Sequence, residues 1–362
     1  MHKLSARWNI HKILEFMTNK IFNWQIIGHQ KILKILQTAI IQNKLAHAYL
    51  FYGLDGLGKS TLAKYFIASL ICNSSPCPCQ KCINCQQIFQ EIHPDLLIIK
   101  RLPEKKEISI EQIRFLKNWL SLSPFSNPYK FVILKEAENL NREASNSFLK
   151  ILEEPPKNSI IVIITKNLKS VLPTIISRCQ LVKFNPVSQR EMIEYYEHMR
   201  FAHSSPTNYE SKRITNRGPE SATERYNSNL EKIKELIPYS FGRPGLLINF
   251  LEEQNLFNQY KSQSREFVEL FQSSLKQKLE YAEKNFSNPL TFLWLRIIHD
   301  FLLVKINLPP VNKFLETDLK RIVGQYSKKE ISNLLIELNL AKKYLSQNLN
   351  PKLVLENFFI NL

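Results

Sequence analysis

A chain of 362 residues with 44% hydrophobic content is long enough for two or three cores, since single domains usually stop growing near about 250–300 residues. It has no run of about 18 consecutive apolar residues and no basic-start, apolar-stretch, small-residue cleavage pattern, which argues against a membrane span and a secretory signal. The formal net charge of +17 favours a polyanionic partner such as nucleic acid, although the same Lys-, Ile- and Asn-rich composition follows from AT-rich coding and the charge is spread along the chain.

Residues 1–22 are basic and nearly free of acids, and read as an N-terminal extension, with Met17 as an alternative start. From 23 to 186, helical patterns alternate with short apolar runs. "AYLFYG" (48–53), "DLLIIK" (95–100), "KFVILK" (130–135) and "IIVIIT" (160–165) read as buried strands, separated by helix-length stretches such as "KSTLAKYFIASLIC" and "EQIRFLKNWLS". This order predicts a parallel sheet with helices on both faces and ligands at the carboxyl ends of its strands. A helical segment opens at "NPVSQREMIEYYEHM" (185–199), and 203–229 is a polar insertion without an apolar period. Helical patterning resumes over 230–251, and 254–362 reads as all helical, with apolar residues three and four apart.

"GLDGLGKS" (53–60) fits GxxxxGK[ST] in full and lies between a predicted strand and a predicted helix. Gly53, Gly56 and Gly58 let backbone N–H groups wrap around phosphate oxygens at a helix N-terminus. Lys59 is expected to reach the terminal phosphates and Ser60 to ligate magnesium, with Thr61 completing the set. A later apolar strand should then end in Asp, to hold that magnesium. Here Phe131–Leu134 is followed by Lys135 and Glu136. Five of the six cysteines fall between 72 and 85, a clustering that suits a metal site in a reducing cytoplasm better than a disulfide framework. Cys79, Cys82 and Cys85 form C-x2-C-x2-C, and either Cys72 or Cys77 could complete a closed, structural zinc site.

The order of these motifs resembles the AAA+ subunits of bacterial DNA polymerase III clamp loaders. The match runs through "NWQIIGHQKILKILQTAIIQNKLAHAYLFYGLDGLGKSTLA", the cysteine module, "HPDLLII", "NREASNSFLKILEEPPKNSIIVIIT", "IISRCQ", "SFGRPGLL" and "NLNPKLVLENFF". The resemblance places the fourth zinc ligand at Cys72. The gap to Cys79 is two residues shorter than the family's, which leaves Cys77 as a substitute. It also implies a sensor role for Thr165 and an arginine finger at Arg178, which would reach ATP on a neighbouring subunit. Two kinds of subunit compete, the ATP-hydrolysing gamma/tau motor and the delta-prime kind. Lys135 stands where the motor carries its magnesium-ordering Asp, with Glu136 at the place of the water-activating Glu. Gly245 of "GRPG" stands where the motor carries a nucleotide-contacting Arg, Arg243 lying on another face. The segment around Thr165 has the delta-prime spacing, and the chain ends at the collar without the long tau-type extension.

The implied architecture is an α/β AAA+ P-loop base domain over 23–186 with a zinc module at 72–85, an all-α lid over 187–253 and an all-α collar over 254–362. The implied function is that of a delta-prime subunit: a cytoplasmic hetero-oligomer with gamma/tau and delta that serves the sliding clamp and primer-template DNA, without a membrane. Structural zinc is expected, ATP is the candidate ligand of the loop with its occupancy left open, and magnesium coordination and intrinsic ATPase are not expected, although the complex belongs to the DNA-directed DNA polymerase. The alternatives are a gamma/tau-type motor with an unusual magnesium site, a nucleotide-independent DNA-binding protein, and an AAA+ protein of another process.

Overall fold

The structure, a computed structural model, describes residues 20–125, 127–203, 230–285, 290–347 and 349–362. The extension predicted over 1–22 lies outside it up to residue 19, and the insertion predicted over 203–229 lies outside it beyond His203. The described chain forms two compact units. One runs to Leu230 and takes back Phe241–Leu246; the other holds Glu231–Ser240 and Leu247–Leu362.

The first unit is built on five parallel strands in the order β2-β3-β4-β1-β5: β1 (Ala48–Tyr52), β2 (Leu96–Ile99), β3 (Lys130–Leu134), β4 (Ser159–Thr165) and β5 (Gln180–Lys183). Every residue of β3 and β4 is buried, the mark of strands covered on both faces. The strand period of two sorts their side chains. Tyr49, Phe51, Phe131, Ile133, Val162 and Ile164 face α1 (Gln30–Ile41) and α2 (Lys59–Ile71). Leu50, Val132, Leu134, Ile161 and Ile163 face α4 (Ile110–Ser121) and α5 (Arg142–Glu153). Between α2 and β2 stands the short helix α3 (Ile83–Phe89); α6 (Pro173–Ile176) precedes β5 and α7 (Gln189–His203) follows it. The α/β class read from the sequence is borne out, but β5 was not read as a strand. It is an edge strand in which only Val182 is buried, so it lacks the apolar run that revealed the others.

Local chemistry sets the helix ends. Asn141 caps α5, its Oδ1 accepting from the N–H of Ala144 at 2.8 Å. Glycine at 58, with φ 82°, caps α2 and leaves its first N–H groups open.

The elements of the second unit are helical among the described residues: α8 (Pro244–Glu252, which begins in the first unit), α9 (Gln254–Glu269), α10 (Leu275–Asn285), α11 (Thr291–Lys305), α12 (Glu316–Val323), α13 (Lys328–Ser346) and α14 (Pro351–Ile360). A capping box starts α13, with Ser327 N–H donating to Glu330 at 2.6 Å and Glu330 N–H donating back at 3.2 Å. The core is aromatic: Trp294 is fully buried, stacked on Phe267 at 5.5 Å and on Phe358 at 6.3 Å. The buried carboxylate of Asp300 is satisfied by the N–H groups of Val311 (3.1 Å) and Asn312 (2.9 Å) and by the Asn312 amide (2.7 Å), which ties the loop after α11 to that helix. Among the described residues no helix is long and apolar enough to cross a membrane.

Candidate functional site

The loop 53–58 leaves the carboxyl end of β1, the strand flanked by β4 and β5, and enters α2. Gly53 has φ 142°, and a Cβ there would run into the carbonyl of Phe184. Lys59 is buried, with 6% of its surface exposed, and its ammonium donates to the carbonyls of Gly53 and Leu54 of its own loop. Burial pulls this lysine below its ordinary pKa, against the opposing fields of Asp55 and Glu138. Asp55, Gly56, Gly58, Lys59, Ser60, Thr61, Lys135, Glu136, Glu138, Thr165 and Gly245 surround a cavity of about 310 Å³, at the small end of the range for ligand sites. The predicted phosphate-binding residues other than Gly53, which sits at the start of the loop, thus converge with Lys135, Glu136 and Thr165 at one place.

Gly245 meets the loop backbone to backbone. Its N–H donates to the Gly56 carbonyl at 2.8 Å, and a Cβ on it would lie 3.0 Å from Gly56 Cα. On the other side of the loop, His29 Nε2 lies 3.0 Å from the Leu57 carbonyl and its ring meets Phe184 edge-on at 4.9 Å.

Of the charged side chains that line the cavity, Lys135, Glu136, Glu138 and Lys166 are paired. Lys135 Nζ donates to Glu91 Oε1 at 3.0 Å, and Lys64 Nζ reaches the same oxygen at 2.7 Å. Glu136, half-exposed and in the left-handed region at φ 56°, pairs with Arg101 at 3.4 Å. The carboxylate bonded to Thr165 is Glu138: it is buried, accepts from Thr165 Oγ1 at 2.7 Å and from Lys166 N–H at 3.3 Å, and lies 3.7 Å from the Lys166 ammonium. Sequence reasoning missed Glu138. Its only signal is an acid four residues beyond the end of β3, and the 3-10 turn Ala137–Asn139 brings it round to β4. The arrangement can cradle phosphate with Lys59, and it places an ammonium, not a carboxylate, at the end of β3.

Arg178 sits on the turn between α6 and β5 and does not line this cavity. Its guanidinium donates to Glu153 at 2.8 Å and to the Thr174 carbonyl at 2.9 Å. The "LEEPP" and "SRC" motifs therefore meet side by side on the surface.

The sulfurs of Cys72, Cys79, Cys82 and Cys85 lie within 4.8 Å of one another, Cys79 and Cys85 at 4.0 Å. A tetrahedral zinc site with Zn–S near 2.3 Å needs sulfurs about 3.8 Å apart, so this donor set fits the ion. N–H groups already point at the sulfurs, Cys79 N–H at Cys72 (3.4 Å) and Cys82 N–H at Cys79 (3.3 Å). Burial opposes ionisation of Cys79, but the N–H groups of Cys82 and Lys81 bring its pKa down to about 6. Cys77 is buried outside the set; its backbone pairs with Ile21 and Asn23.

Sheet order and phosphate loop define a P-loop domain of the AAA+ type, followed by a helical part. Residues 28–188 match the family model described as "DNA polymerase III, delta subunit". DNA polymerase III subunit delta′ of Bacillus subtilis (strain 168) is 27% identical over 344 residues, which is 92% of this chain and 95% of that one. Subunit delta′ of Pseudomonas aeruginosa is 36% identical over 136 residues, 37% of this chain and 42% of that one. Subunit gamma of Buchnera aphidicola subsp. Baizongia pistaciae is 29% identical over 209 residues, 57% of this chain and 55% of that one, so the chain spans about half of this gamma relative. A solved DNA polymerase III gamma subunit-related protein from Thermotoga maritima is a distant likeness, at 18% identity, 93% and 98% coverage and a TM-score of 0.37. The chain resembles the AAA+ subunits of the bacterial DNA polymerase III clamp loader, as its motifs suggested, and the delta-prime likeness runs over nearly its full length.

Proposed function

We propose that this chain is the delta-prime subunit of a DNA polymerase III clamp loader, working in the cytoplasm with gamma/tau and delta subunits to place the sliding clamp on primer-template DNA. The base domain would be 23–186, the lid 187–253 and the collar 254–362. The observation that carries the reading is Lys135. A cation at the end of β3, held by Glu91, removes the carboxylate that orders magnesium and sets positive charge beside a dication. Lys59, Ser60 and the glycines of an intact loop support retained nucleotide binding without turnover. The four cysteines would hold zinc as a structural clip with no position left for water.

Arg178 is the catalytic group this subunit would lend. Its pair with Glu153 is a third to a half exposed, and such pairs are worth about 0–1 kcal/mol, so a neighbour's phosphates can draw the guanidinium away. An arginine finger is worth about 10³–10⁵ in rate at the site it serves. The test is ATP turnover by the chain alone and in the reconstituted complex. Alone, it stays at background. In the complex, R178A silences the neighbouring site while the assembly still forms. Robust turnover by the isolated chain, abolished by K59A, refutes this reading in favour of a motor subunit.

A further inference from the structure

We propose that Glu91 sets the charge of the nucleotide cavity by engaging Lys135, and that the cysteine-bearing helix α3 is what places Glu91 there. The inference deepens the nucleotide reading above and rests on it. One oxygen of Glu91 takes the ammonium groups of Lys64, from α2, and of Lys135, from the end of β3. Each residue thus sits on a different element, and Glu91 is the only acid within the trio.

The position of Glu91 is fixed by backbone. It stands one residue beyond Gln90, the C-cap of α3, with φ 63°; its N–H donates to the Ile88 carbonyl at 3.1 Å, and the next N–H, of Ile92, donates to the Gln87 carbonyl at 2.9 Å. Lys64 also donates to the Phe89 carbonyl at 3.3 Å, tying the end of α3 to α2. The other end of α3 belongs to the cysteine site: Cys82 is its N-cap and Cys85 lies in its first turn. A seven-residue helix therefore joins the metal donor set to the carboxylate that holds Lys135.

The consequence is electrostatic. Lys59, Lys135 and the carboxylate of Asp55, whose field acts on Lys59, face one cavity, while Glu136 is turned to Arg101 and Glu138 to Thr165 and Lys166. With Glu91 charged, the positive charge of Lys135 is partly offset, because the same carboxylate also serves Lys64. With Glu91 removed, Lys135 loses its carboxylate and stands beside Lys59 as a second cation for the phosphates, taking over the counter-charge that magnesium supplies elsewhere. The favoured ligand is then a nucleoside di- or triphosphate free of divalent ion.

The experiment is equilibrium binding of ADP and ATP in EDTA to the full chain and to E91Q, E91D, K135M and E91Q/K135M, with K59A as the control for the loop. E91Q should bind about tenfold more tightly, the effect of one extra charge at about 6 Å in a partly screened site. E91D should restore the wild-type affinity, and E91Q should have no effect on the K135M background. Unchanged or weaker binding by E91Q, or tightening that survives K135M, overturns the inference. Amine labelling of Lys135, read by mass spectrometry, separates this inference from the reading beneath it. Labelling should rise in E91Q and on removal of zinc by a chelator, while Lys320, paired with Glu316 in the other unit, stays constant. Raised labelling without any nucleotide binding refutes the nucleotide reading and leaves the Glu91 link standing. Labelling unchanged in E91Q overturns the link, and labelling unchanged on zinc removal overturns the part given to α3.

Discussion

Replacing Gly245 by Ala adds a single methyl group where the phosphate loop has no room for it. The new Cβ would lie 3.0 Å from Gly56 Cα and 3.1 Å from Gly56 O, against about 3.5–4.0 Å for comfortable carbon contact. Gly56, at φ 78°, is held in a loop pinned by the Lys59 ammonium, so it yields poorly. Separation by a few tenths of an ångström stretches the 2.8 Å bond from Gly245 N–H to Gly56 O. Losing that bond costs about 1 kcal/mol net and the overpacking about 1–2 kcal/mol more. The lower entropy of the unfolded Ala chain returns about 0.4–1 kcal/mol. The net expectation is a loss of about 1–2.5 kcal/mol. Gly324 provides the control. Its φ is −58°, a Cβ there meets nothing within 4 Å, and G324A should stabilise by about 0.4–1 kcal/mol. Urea denaturation of each variant gives the sign, and hydrogen exchange at residues 56–58 localises the effect. If G245A stabilises as G324A does, the backbone contact between the segment and the loop is not a close one. G245R starts with the same clash at its Cβ before its guanidinium reaches any phosphate.

Metal analysis of the purified chain should find zinc lost in C72S, C82S and C85S but retained in C77S; retention in C72S would remove that residue from the ligand set. Burial holds both His29 and His93 below the ordinary histidine range, so as pH falls past about 6.5 the unfolded chain gains protons that the folded rings refuse. Stability should therefore decline between pH 7.5 and the depressed folded values. The urea midpoint of an H29Q/H93Q variant should depend less steeply on pH over that window; an equal slope removes these residues as the cause. Trp294→Ala empties a site with no exposed surface in the helical unit and should cost about 3–5 kcal/mol, read as a lower thermal midpoint. A loss below about 1 kcal/mol would show that this core refills the space.

The phosphate loop, the cysteine spacing, four of the five strands and the missing Asp after Leu134 were legible in the sequence, because each is a local pattern. Glycines at fixed offsets dictate a turn, and fully apolar runs dictate covered strands, wherever they stand in a fold. The partners of the charges were not legible. Glu91 and Lys135 are 44 residues apart and Glu138 and Thr165 are 27 apart; the end of α3 seated against α2 brings the first pair together, and the pairing of β3 with β4 the second. The choice of Cys72 over Cys77 likewise depends on where the end of α2 points relative to α3. Chain chemistry alone determined that a phosphate loop and a thiol cluster would exist and that a lysine would follow β3. Tertiary structure decided which charges neutralise one another, because Coulomb energy depends on separation in space and on burial, and neither is written in sequence distance.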